Sequence, residues 1–156
     1  MGELMLKQTH YITKMINRFG QGDANAVRNP MVVGQDLTPN ASHGLFNSKT
    51  KYRELIGAML YVANATRPDI SIALSELSQY LECPREMHWR AAIRVLRYLK
   101  GTSSFGLKFS TSASDSVPMN GAPVIYKSKR QSSIALSSAE AEYMALAALI
   151  VSKFMQ

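Results

Sequence analysis

Glu140 and Glu142 stand at the head of an alanine-rich run, Ile134-Ala-Leu-Ser-Ser-Ala-Glu-Ala-Glu-Tyr-Met-Ala-Leu146, and a carboxylate so placed can hold a divalent metal. Ile134, Ala135 and Leu136 suit a short buried strand. Ser137 or Ser138 can cap the helix that follows, and both glutamates fall in its first turns, where the helix dipole favours negative charge. Alanine, leucine and methionine extend that helix to about Phe154. A metal site of this kind needs further carboxylates, and few stand nearby.

A second chemistry is anion binding. Arg90, Arg94 and Arg97 follow i, i+4, i+7 spacing, so a helix projects all three guanidinium groups from one face. Lys100 lies near the edge of that row, and Arg85 and Lys108 flank it. Phosphate contacts from such a row give affinity without sequence preference and a strong salt dependence. The same pattern also suits the solvated outer face of an amphipathic helix. Lys127, Lys129 and Arg130 form a shorter basic cluster between strands, readable either as an exposed edge or as phosphate contacts.

Other chemistries find less support. No His or Asp neighbours Ser137 or Ser138 to make a triad, and there is no glycine-rich phosphate loop. His10, His43 and His88 are scattered, and the lone Cys83 excludes an internal disulfide and a Cys-rich zinc site. Arg67-Pro68-Asp69 reads as structural: Asp69 complements a helix dipole, and Arg67 can pair with it or with Glu54.

The elements that must position these groups follow from periodicity. Glu3 to Lys7 suits a strand. From Thr9, the residues Tyr11, Ile12, Met15, Ile16 and Phe19 share one helical face, with Gly20 as the terminator. Residues 30–48 read as a linker or long loop. Three helices are then expected. The first, Lys51 to Ala65, buries Tyr52, Leu55, Ile56, Met59, Leu60 and Ala63. The second starts at Pro68 and runs to Leu81. The third starts at Pro84, ends at Gly101 and turns Trp89, Ala92, Val95, Leu96 and Leu99 inward. Phe105 to Phe109 and Pro123 to Lys127 read as strands, separated by the polar connector 110–122.

The 156 residues suit one domain, or one domain and part of another, and 46% apolar content is ordinary for a globular chain. No apolar run approaches the ~20 residues that span a bilayer, and the N-terminus lacks the basic-then-apolar order of a secretory signal. The expected setting is therefore intracellular, cytoplasmic or nuclear, with no membrane partner. The formal charge is +7, and residues 48–108 hold most of the excess, with ten basic against five acidic groups. A polyanion is the natural partner of that segment.

Several stretches together resemble the Pol polyprotein of copia-type retrotransposons. They are Tyr52-Arg-Glu-Leu-Ile-Gly-Ala-Met-Leu-Tyr61, Thr66-Arg-Pro-Asp-Ile70, His88-Trp89, Arg97-Tyr-Leu-Lys-Gly-Thr102 and Gly106-Leu107. Tyr126-Lys-Ser-Lys-Arg-Gln131 and Ala135-Leu-Ser-Ser-Ala-Glu-Ala-Glu-Tyr-Met-Ala145 continue the series in the same order. Tyr11-Ile12, Phe19 and Asn29-Pro30-Met31 extend it toward the N-terminus.

The resemblance implies that residues 1–47 close the reverse transcriptase region and that 48–108 form its three-helix C-terminal or connection segment. Residues 109–156 would be an internally deleted, truncated ribonuclease H domain. The expected fold class is α+β: a mainly helical middle with short strands, then an incomplete ribonuclease H-like strand-helix unit. No Asp-Asp pair occurs, so the polymerase aspartates of the family are absent. Ribonuclease H chemistry brackets two metals about 4 Å apart with several carboxylates. Of these the resemblance assigns Glu142 alone, with Asp115 in a serine-rich connector. The intact family uses Mg²⁺, whereas this fragment is expected to bind no cofactor.

The function expected is a polyprotein fragment without catalysis of its own, retaining weak, nonspecific binding to an RNA–DNA hybrid or duplex. Its other partner would be the rest of the polyprotein. The alternative is a small basic helical interaction module with a protein or RNA partner.

Overall fold

The computed structural model describes residues 3–32, 34–39, 44–110, 137, 139 and 141–147. The chain divides into two compact units, Met1–Ala122 and Pro123–Gln156. The first is an α+β unit whose elements run β1 (Glu3–Leu6), α1 (Thr9–Arg18), α2 (Lys49–Ala65), a 3₁₀ turn (Pro68–Ile70), α3 (Ser71–Ser78), α4 (Glu86–Gly101) and β2 (Leu107–Ser110).

Helical periodicity builds its core. Ile12, Met15 and Ile16 of α1, Leu55, Ile56 and Met59 of α2, and Val95, Leu96 and Leu99 of α4 are all buried together. Burying a side chain of this size is worth ~1.5–3 kcal/mol, so this apolar centre outweighs the modest helix propensities of the β-branched residues in it. On α2, Val62 is buried and Leu60 only half so, a shift of the expected stripe by part of a turn. Tyr11, expected on the inner face of α1, is exposed.

The second expected helix starts and stops differently, while the third starts later than expected and ends at Gly101 as expected. Pro68 opens a 3₁₀ turn rather than the α-helix, and α3 ends at Ser78 instead of Leu81. The Ser78 hydroxyl donates to the Leu74 carbonyl at 2.6 Å, and the Tyr52 hydroxyl donates to the Leu77 carbonyl at 2.8 Å. The Tyr52 bond occupies the Leu77 carbonyl, which a longer helix would have used. Burial, with Tyr80 second, pushes the Tyr52 phenol above the ordinary tyrosine range, so it stays a neutral donor.

Pro84 does not start α4. It lies just before the extended Arg85 cap, where the Pro84 carbonyl accepts from Phe46 N–H at 3.0 Å and Glu86 N–H donates to the Gly44 carbonyl at 3.2 Å. The expected loop 30–48 therefore contains a short bridge to the head of α4.

The segment before that bridge is tied down by His88, which is fully buried. Its Nδ1 accepts from Arg85 N–H at 3.0 Å, so Nε2 carries the proton donated to the Leu37 carbonyl at 2.9 Å. The ring stacks on Tyr80 with centroids 3.9 Å apart.

β1 and β2 pair antiparallel in the register Glu3↔Ser110 through Leu6↔Leu107. Phe105 falls outside the strand. Gly106 lies so close that a Cβ there would overlap the Leu6 carbonyl, which is why the chain needs glycine at this approach.

In the second unit residues 141–147 are helical, and Ala141 N–H donates to the Ser137 carbonyl at 3.1 Å, as the expected start at the serines requires. The strands expected at 123–127 and 134–136, and the helix beyond residue 147, lie outside the described residues. No helix among the described residues is long and apolar enough to cross a membrane.

Candidate nucleic-acid interface

α4 carries its basic row as the spacing requires, but the four side chains end up in different roles. Arg90 is exposed. Arg94 is half-buried, with its Nε inside and donating to no acceptor among the described residues. Arg97 Nε donates to the Asn25 carbonyl at 2.6 Å. Lys100 Nζ donates to the carbonyls of Gly22 and Ala24, the latter at 2.8 Å, and lies 3.4 Å from that of Gln21. The C-terminal half of the row is thus spent on the loop after α1. Lys127, Lys129 and Arg130 lie outside the described residues.

A second face, missed in the sequence, lies where α1 meets α2. Tyr11 and Tyr61 are both exposed and meet edge to face, with centroids 5.1 Å apart. About two turns away on each helix, Arg18 pairs with Glu54. These two contacts run the helices antiparallel and put exposed Lys14 between them on the α1 stripe.

On α2, Gly57 sits between Arg53 and Tyr61 at four-residue spacing. A Cβ at Gly57 would meet nothing within 4 Å. A mid-helix glycine costs ~0.5–1 kcal/mol relative to alanine, and no internal packing requires this one. The signal that could have found it is a glycine on the polar side of an otherwise strong helical stripe. Exposed Lys51 adds charge to the start of the helix. Arg53 is held by Glu82, which also receives Lys49 at 2.7 Å. The Lys49 hydrogen bond and the Arg53 charge hold the Glu82 carboxyl below its usual range.

Both faces are positioned by one buried latch. Arg67 is 2% exposed and donates to the two Asp69 carboxylate oxygens at 2.9 and 2.7 Å. It also donates to the Thr102 carbonyl at 2.8 Å and hydroxyl at 2.7 Å, tying the α2–α3 turn to the end of α4. Its guanidinium carbon lies 5.4 Å from the Tyr98 ring centroid and 5.7 Å from that of Phe105. Of the two acids open to Arg67, Asp69 is its partner and Glu54 is not. Burial pushes the Asp69 carboxyl up, but the hydrogen bonds from Arg67 and Tyr98 and the Arg67 charge outweigh it and hold the group below its ordinary value.

Glu142 is exposed on the 141–147 helix, while Glu140 and Asp115 lie outside the described residues. Among the described residues no three His, Cys, Asp or Glu side chains come together to hold a metal ion. The donors described do not fit a two-metal site.

No family model and no solved structure matches this chain. Curated relatives do. The chain is 34% identical to the retrovirus-related Pol polyprotein from transposon RE2 of Arabidopsis thaliana, over 92% of this chain and 11% of that protein. It is 31% identical to the Pol polyprotein from transposon TNT 1-94 of Nicotiana tabacum, over 92% of this chain and 13% of that protein. Secreted RxLR effector protein 161 of Plasmopara viticola is 36% identical over 61% of this chain and 83% of its own length.

These relatives define a segment of a retrovirus-related Pol polyprotein. The chain belongs to the copia-type retrotransposon Pol family. It spans about a tenth of the length of the polyproteins it matches, 11% and 13%. The match to RE2 runs over 167 residues, more than the 156 of this chain, so the relative carries residues within the matched span that this chain lacks.

Proposed function

We propose that this segment of the reverse transcriptase region binds the backbone of an RNA–DNA hybrid or duplex, weakly and without sequence preference, and is not catalytic alone. The uncovered Gly57 on the α1–α2 face carries this reading. A nucleic-acid strand comes nearest to a helix where no side chain intervenes, which gives the helix-weakening glycine a purpose. Tyr11 and Tyr61 offer aromatic surface beside it, and Lys14 and Lys51 offer phosphate neutralisation. Arg90, Arg94 and Arg97 remain a second, weaker set of phosphate contacts in this reading, with Lys100, Lys127, Lys129 and Arg130 as further candidates.

Residues 109–156 are read as a shortened ribonuclease H-like remnant, in keeping with the residues that RE2 carries and this chain lacks. Glu142 is then one vestigial carboxylate of a set that needs at least three, and the fragment takes no Mg²⁺ of its own. The remaining partner is the rest of the polyprotein, and the compartment is the cytoplasm or nucleus.

Fluorescence anisotropy with a short RNA–DNA hybrid, titrated at several salt concentrations, tests this. Gly57→Glu and Tyr61→Ala should each weaken binding several-fold while the helical circular dichroism is kept. Unchanged affinity in both would remove the α1–α2 face. Mg²⁺-dependent cleavage of the RNA strand, abolished by Glu142→Gln, would overturn the inactive reading.

A second reading is favoured by one observation: the RxLR effector is 83% covered by its match, so a polypeptide consisting mostly of this region exists without the polyprotein. Under that reading the chain is a basic helical module for a protein partner, and the hybrid titration would show no binding.

A further inference from the structure

We propose that residues 20–27 form a strap masking a latent polyanion site on the C-terminal half of α4; the inference rests on the nucleic-acid reading above. Gly20, at φ 66°, reverses the chain after α1 in a left-handed conformation that suits glycine. The strap then lies along Arg97, Lys100 and Gly101. Its carbonyls at Gly22, Ala24 and Asn25 take donors from Lys100 and Arg97, and that of Gln21 lies within reach. An ammonium has three protons, and the three carbonyls around Lys100 occupy them all, leaving none for a phosphate. Among the described residues Arg97 commits its Nε and keeps its two outer nitrogens.

Clearance as well as hydrogen bonding holds the strap down. A Cβ on Gly101 would stand 2.9 Å from the Ala26 Cβ and 3.8 Å from the Val27 carbonyl oxygen. Glycine at the last position of α4 is what lets residues 26 and 27 close over the helix. The neutral carbonyls are weaker partners for these cations than phosphate oxygens, because a charge-assisted bond with an ionised acceptor is the stronger one. With the strap in place nucleic acid is denied these two cations, and lifting the strap adds both to the basic row. Arg94 and Arg90, one and two turns earlier on the same stripe, extend the uncovered site.

The test is hybrid binding by two variants that open the strap by different routes. Gly101→Ala collides with Ala26, and Gly20→Val removes the left-handed reversal. Freeing two cations should steepen the slope of log K against log salt by about 1.8, an extra loss of about tenfold between about 50 and 200 mM salt. Affinity at the low end should rise accordingly. In Gly101→Ala/Ala26→Gly the clash is relieved, and binding should return to the wild-type value.

Wild-type affinity and slope in both opening variants would overturn the proposal, as would a gain that persists in the double variant. Gly57→Glu separates this inference from the functional reading. Loss of wild-type binding in Gly57→Glu with no gain in the strap variants leaves the α1–α2 face standing and removes the strap. A gain in the strap variants with Gly57→Glu silent does the reverse.

Discussion

Arg67 grips Asp69 through two parallel hydrogen bonds of 2.9 and 2.7 Å, and the same guanidinium reaches the Thr102 carbonyl at 2.8 Å. One buried cation thereby joins the turn after α2 to the turn after α4. Its loss and the loss of its partner are not equivalent. Asp69→Ala strands a buried guanidinium and should cost about 3 kcal/mol, whereas Arg67→Met removes charge and desolvation together and should cost less. Urea unfolding of the two variants compares them directly, and equal losses would count against the asymmetry.

The same pair sets a pH dependence. The Asp69 carboxyl lies below its ordinary value in the folded chain, so the folded state binds its proton less readily than the unfolded state does. Its contribution is therefore fully present above the unfolded carboxyl value of about 3.9 and is lost as the pH falls through the lower, folded value. Thermal unfolding between neutral and acid pH should show a steeper acid loss in wild type than in Asp69→Asn. Matching profiles would mean that Asp69 does not contribute.

His88→Phe keeps a ring against Tyr80 but removes both nitrogens. Arg85 N–H and the Leu37 carbonyl then lose their partner, at roughly 1–3 kcal/mol for each group left buried and unmet. The expected result is destabilisation by about 2 kcal/mol with faster hydrogen exchange around Leu37. Exchange unchanged there would show that the Leu37 side chain alone anchors the segment.

Gly57→Ala should raise stability and lower hybrid affinity at once. Alanine gains about 0.5–1 kcal/mol of helix stability at a site where its methyl meets nothing inside the protein. Tighter or equal binding in this variant would count against close approach at Gly57. The pairing of gain and loss is what distinguishes a binding role from a structural one.

Much of the helical part was legible because its signal is local. Ile12, Met15 and Ile16, or Leu55, Ile56 and Met59, reveal a buried face by spacing alone. The role of Lys100 was not legible, since its carbonyl partners stand 76 to 79 residues away and no side-chain pattern announces them. Tyr11 misled for a related reason: an aromatic at the edge of an apolar stripe fits either side, and Tyr61 settles which. Pro84 has the fixed φ of a helix start, yet the bridge to residues 44–46 holds it one step outside. The pairing of β1 with β2 is set across more than a hundred residues, beyond the reach of any periodicity.

That pairing has an architectural consequence. The strand leading into the helices and the strand leading out lie side by side and run in opposite directions. A polypeptide arriving at β1 and departing from β2 does so through one doorway, so the four helices hang from it as a cassette. Such a cassette can be spliced into a longer chain, or closed on itself with new ends cut elsewhere, without its interior being rearranged.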